Sequence, residues 1–213
     1  MAYESRRGAG KNHLAPRDNP MVRCFVALEL PEEVKSFVFA VVSELRQKIK
    51  DAKWVSIQGM HLTLKFLGDV PSGAIPAVAK ALEQPLAVPE PIQLKVQGLG
   101  CFPHMKRPRV IWLGITDSQS ALQPLVQKIE DALVPLGFPR ETRSFKPHLT
   151  LARMRDARDL SKDLELIMQS QKAPGPSFSI KSAVLFESVL KPQGAQYHPI
   201  KRFSFLDLQR TNG

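Results

Sequence analysis

The tetrapeptide His-Leu-Thr-Leu occurs twice in this chain, at His61–Leu64 and again at His148–Leu151. Successive side chains of an extended strand point to opposite faces. Each copy therefore presents an imidazole and a hydroxyl (His61 with Thr63, His148 with Thr150) on one side and two leucines on the other. The leucines anchor the strand, and the polar pair faces whatever lies outside the core. The copies are far apart in sequence, so using both polar faces together requires a fold that closes a cleft between two strands. A single His-x-Thr on a strand is ordinary; the pairing is the specific signal.

Two imidazoles facing one phosphodiester form a general acid–base pair, because groups titrating near neutrality can take or give a proton there. The threonine hydroxyls can donate to non-bridging oxygens without adding charge. A metal centre fits poorly, since it asks for three or four convergent ligands and Asp69 and Asp156 are the nearest acids in sequence. No metal and no cofactor is expected. The chain has no nucleophile-elbow sequence and no Gly-rich phosphate loop. With 30 Lys+Arg against 20 Asp+Glu, the formal net charge is +10. That excess suits a polyanionic partner such as nucleic acid without selecting one. Cys24 and Cys101 lack metal-site spacing, and reduced thiols in a cytoplasmic protein are the simplest reading. No apolar run is long enough to span a bilayer.

Residues 1–20 are polar, basic and aperiodic, which predicts a flexible arm before one domain over residues 21–210. Order is expected to begin at Met21, with a strand from Val22 to Leu30, a helix from Pro31 to about Lys50, and a motif strand in which Leu62, Leu64 and Phe66 alternate. A turn follows at Gly68–Gly73, then a helix near Ala74–Leu82. Strands are expected at Ile92–Leu99 and Arg109–Ile115 and a helix within Ser118–Leu136. After the second motif come a helix at Leu160–Gln169 and strands at Phe178–Glu187 and Tyr197–Leu208. Hairpin-like strand pairs argue against a doubly wound sheet and for an α+β fold of mainly antiparallel sheets. A motif strand, a helix and a strand pair follow one another twice, suggesting two pseudo-equivalent lobes.

The sequence resembles the 2H phosphoesterases, specifically their RNA 2′,3′-cyclic phosphodiesterase (2′-5′ RNA ligase) branch, from about Arg23 to Leu208. The segments that carry the resemblance are Arg23–Leu28, Trp54-Val55, His61–Gly68, Phe102-Pro103, Arg107–Trp112, Phe145–Arg153 and Leu185–Ser188. The resemblance implies a bilobal fold with a central cleft, each lobe lending one His-x-Thr. It implies that His61 gives a proton to the leaving 3′ oxygen, that His148 activates water, and that the product is a 2′-phosphate end. It also implies that Arg153 contacts the phosphate and that Tyr197 lines the cleft.

Strict alternation from His148 places Arg153 on the leucine face. Either the strand ends or bulges near Ala152, or the side chain wraps around the edge. Alternation puts Lys65 on the His61 face, at the cleft rim; Lys146 precedes the second motif. Phe25, Trp54, Phe66 and Trp112 read as core packing. Phe102, in a loop with His104, Lys106, Arg107 and Arg109, is the candidate for holding a nucleobase. His13, His104 and His198 read as structural or surface residues.

The leading expectation is hydrolysis of RNA 2′,3′-cyclic phosphate ends by a monomer. The alternatives are reversible 2′-5′ RNA ligation, a small cyclic nucleotide substrate, and an RNA-end-binding module without catalysis. The last is disfavoured, because binding alone does not call for two titratable groups.

Overall fold

A computed structural model describes residues 19–156, 158–170, 175–192 and 194–205. The arm at residues 1–18 and residues 206–208 lie outside these. Met21 opens β1 (Met21–Glu29), and Pro31 precedes α1 (Glu32–Lys48), whose first turn holds Glu32 and Glu33 where the helix dipole favours acids. Then come β2 (Ala52–Trp54), β3 (His61–Pro71), α2 (Ile75–Ala81), β4 (Ile92–Phe102), β5 (Val110–Asp117) and α3 (Leu122–Leu133). The remaining elements are β6 (His148–Met154), α4 (Ser161–Ser170), β7 (Ser177–Ile180), β8 (Ser182–Lys191) and β9 (Gly194–Ser204).

The strands form two wholly antiparallel sheets, ordered β3-β1-β8-β9 and β2-β6-β5-β4-β7. The expected α+β, two-lobed architecture is present, and each sheet holds one motif strand and one hairpin. The hairpins are exchanged: β4–β5 follows the first motif in sequence but pairs with the second, while β8–β9 joins the first. One continuous core spans both sheets and all four helices. Leu62, Leu64, Leu149 and Leu151 all lie in it, nearly without exposure, each stabilising the fold by about 1.5–3 kcal/mol.

Several boundaries differ from expectation for local reasons. The strand expected at Phe178–Glu187 is divided at Lys181 into β7 and β8, which belong to different sheets. The turn expected at Gly68–Gly73 is partly strand. Gly68 takes a φ of 73° at a register shift, and pairing with β1 resumes as far as Pro71. The helix expected within Ser118–Leu136 begins only at Leu122, whose N–H donates to the Asp117 carboxylate at 2.6 Å. Pro124 falls in its first turn, where a missing N–H leaves no bond unmade.

Candidate active site

Each motif strand begins at its histidine. His61 pairs with Glu29, the last residue of β1, and His148 pairs with Gly114, within β5. The segment that leads to His61 is tied to the second motif: Trp54 pairs with Ala152, and the Val55 N–H donates to the Leu151 carbonyl at 2.9 Å. Strands β3 and β6 therefore approach each other from different sheets.

Each imidazole is held alike. His61 Nδ1 lies 2.8 Å from the Gly59 carbonyl and His148 Nδ1 lies 2.6 Å from the Lys146 carbonyl. A carbonyl only accepts, so Nδ1 carries the proton in both rings and Nε2 is left as the atom that can exchange one. Lys146 thus contributes its backbone rather than its ammonium group. A Cβ at Gly59 would crowd the Tyr197 ring at 3.0 Å, so a side chain there would require that ring to shift.

The ring environments differ. His61 packs against Phe25 at a centroid distance of 4.6 Å, against Tyr197 edge-on at 4.8 Å and against Phe186 at 6.1 Å. His148 meets Phe102 edge-on at 5.0 Å and Trp112 at 6.3 Å. Burial pushes the His61 imidazole below its ordinary range, against a smaller upward pull from the Gly59 carbonyl. Free His61 therefore leans to the neutral form, and a bound phosphate anion favours its protonation.

A β-bulge settles the parity of the residues that follow. Ala27 pairs with Thr63 and Val26 with Lys65, leaving Leu64 extra; Trp112 pairs with Thr150 and Ile111 with Ala152, leaving Leu151 extra. The fourth motif residue is thus the bulge in both copies, and the side chains that follow it change face, in β3 as far as a second register shift at Leu67. Arg153 consequently returns to the His148 face, exposed and opposite Val110. Its guanidinium and that of Arg23 lie close enough to Tyr197 to pull the phenol's ionisation down, although burial, the larger effect, pushes it up.

The same bulge corrects two expectations. Lys65 is turned into the core, only 8% exposed, and not toward the cleft rim. It pairs with Glu130 of α3 at 2.9 Å and donates to the Pro139 carbonyl at 2.6 Å. Phe66, read as core packing, is 66% exposed on the His61 face, 6.0 Å from Phe25. Phe25, read the same way, is buried but forms part of the cleft floor with Ala27, Val184 and Phe186. Among the described residues, no three His, Cys, Asp or Glu side chains converge on a possible metal position.

Residues 30–191 match the family described as the 2′-5′ RNA ligase superfamily. The chain belongs to the 2′-5′ RNA ligase superfamily. Among curated members, the RNA 2′,3′-cyclic phosphodiesterase of Methanothermobacter thermautotrophicus is 31% identical over 182 residues, covering 85% of this chain and 98% of that one. The protein of the same name from Aquifex aeolicus is 29% identical over 186 residues, covering 86% and 97%. A crystal structure of a protein from Thermus thermophilus superposes with a TM-score of 0.71 at 26% identity, covering 86% of this chain and 97% of that one.

In this superfamily member His61 and Thr63 share one face of β3, and His148 and Thr150 share one face of β6 to which the bulge returns Arg153; Tyr197 packs against His61 and Phe102 against His148. His104 and His198 make no ring contact with this group, and His13 lies outside the described residues. The cleft positions of Arg23, Phe25 and Phe186 went unnoticed in the sequence. The available signal was β1 itself, whose run Phe25-Val26-Ala27-Leu28 is too uniformly apolar for a strand covered on one face only.

Proposed function

We propose that the protein hydrolyses RNA 2′,3′-cyclic phosphate ends to 2′-phosphate ends, as a monomer whose single chain supplies both halves of the site. The carrying observation is the matched Nδ1–carbonyl contact at the head of both motif strands, which leaves Nε2 of each ring as the atom for proton transfer. Curated relatives across nearly the whole chain bear the name of this activity, which supports the substrate class.

In the proposed reaction His148 Nε2 takes a proton from water as the water oxygen bonds to phosphorus. The bond from phosphorus to the 3′ oxygen breaks, and His61 Nε2 gives that oxygen a proton, leaving a 3′-hydroxyl and a 2′-phosphate. Arg153 offsets charge on the non-bridging oxygens, with Thr63 and Thr150 as neutral donors. Phe102, edge-on to His148, would carry the terminal base in this reading. Acid and base both come from the protein, so this pathway needs no metal.

Reversible 2′-5′ joining would use the same groups, with a 5′-hydroxyl in place of water, and the superfamily's description keeps that reading open. Among the described residues no helix is long and apolar enough to cross a membrane. Cys24 and Cys101 are buried and unpaired, with burial pushing both thiols up to about 11, which supports a reducing cytoplasmic setting. The test is to give chelator-treated protein an oligonucleotide ending in a 2′,3′-cyclic phosphate and to identify the product end. A 2′-phosphate is expected; strict metal dependence or a 3′-phosphate would overturn the mechanism.

A further inference from the structure

Phe66 is a large aromatic side chain left open to solvent on a catalytic face. Register places it opposite Phe25, and Arg23 lies farther along β1, opposite Asp69. Leading away from His61, the first sheet therefore presents Thr63 with Ala27, then Phe66 with Phe25, then exposed Arg23. With Leu64 bulged, Phe66 lies two partner-strand residues beyond Thr63, roughly 7 Å along the sheet. Beside it, a groove of about 350 Å³ is bounded by Lys65–Gly68 on one wall and Phe138–Thr142 on the other. The second wall belongs to the segment that runs on to His148.

The charges in this groove are already matched. Arg140 is paired with Asp131, Arg143 with Glu141, and Lys65 with Glu130. The groove thus suits an uncharged ring or sugar, whereas Arg23 beyond it suits a phosphate. An aromatic platform followed by a cation is the pattern that holds single-stranded nucleic acid.

We propose that this track is the subsite for the nucleotide upstream of the cyclic phosphate, with its base stacked on Phe66 and its phosphate at Arg23. The proposal rests on the RNA-end reading above and adds that the protein favours an oligonucleotide end over a mononucleotide. Phe66 is then a specificity-determining residue.

The test compares kcat/KM for a short oligonucleotide ending in a 2′,3′-cyclic phosphate with that for a 2′,3′-cyclic mononucleotide. The native protein is expected to favour the oligonucleotide, and Phe66→Ala to lower that ratio about 10-fold, with Phe66→Trp retaining it. Arg23→Ala is expected to flatten the dependence of log kcat/KM on log salt for the oligonucleotide by about 0.7, the value for one phosphate on a single strand. An equal loss on both substrates, or no loss on either, overturns the subsite. So does a ratio that collapses with Arg107→Ala and not with Phe66→Ala, which would send the strand over the second sheet. If the native protein opens neither substrate, the RNA-end reading itself fails.

Discussion

The strands β3 and β6 share a backbone plan for four residues and then part company. Both begin at a histidine held by a carbonyl two residues upstream, both bury two leucines, and both bulge at the second leucine. After the bulge, β3 continues with Lys65 and Phe66, and β6 with Ala152 and Arg153. In the first lobe the inward position holds a buried ion pair to α3 and the outward one an exposed aromatic ring. In the second the inward position is a small apolar residue and the outward one a guanidinium. A symmetric frame thus carries an asymmetric charge: at this step the outward-facing cation comes from the second lobe only. With the tighter packing around His61, this gives two chemically identical imidazoles different surroundings.

The inward step offers the largest effect. Glu130→Ala should destabilise the protein by about 3–5 kcal/mol, because Lys65 would be left charged and unpaired in the core. Urea unfolding measures this, and the double replacement Lys65→Met with Glu130→Leu should recover much of the loss. An unchanged midpoint for Glu130→Ala would show that the two lobes do not differ there in energy.

The shared frame is tested at the histidines. His61→Ala and His148→Ala should each slow turnover on the order of 10² or more while leaving RNA binding largely intact. A large loss at only one of them would break the equivalence of the two motifs.

At the outward step, Arg153→Ala should lower kcat/KM on cyclic phosphate by roughly 10-fold or more, through a lost contact to a charged group of about 1.5–3 kcal/mol. Arg153→Lys should restore part of it, since the charge remains but the planar fork does not. Equal activity of all three proteins would remove Arg153 from the site.

The smallest effect concerns the packing around His61. Its imidazole holds a proton less tightly when folded, so the unfolded chain binds more protons in acid. This contribution is at its full value above the unfolded pKa of about 6.5 and is lost as pH falls through the lower folded value. Denaturation midpoints should therefore decline from about pH 6.5 downward less in His61→Gln than in the native protein. Parallel declines would assign the acid sensitivity to other groups.

How far these features could be read in advance depended on whether they were local. Alternation inside each tetrapeptide identified the polar pair and the anchoring leucines, because four extended residues determine their own faces. It failed at Lys65, Phe66 and Arg153 for one shared reason: a bulge belongs to a pair of strands, and the partner's register is not written in the bulged strand. The hairpins were legible as strand pairs from their turns, but which sheet each joins is a matter of long-range pairing. Likewise β1 reads as core on both sides, and only the sheet order shows that one of those sides is a cleft floor.

The two carbonyl contacts carry a consequence for the rhythm of turnover. In the proposed cycle His148 ends with an extra proton and His61 ends lacking one. Each Nδ1 is engaged with backbone that can only accept, so neither ring has a rear exit for exchanging its proton with the interior. Recharging must take place at the Nε2 atoms, on the side that the new 2′-phosphate occupies. The product has to clear the opening before solvent can return both rings to their starting forms.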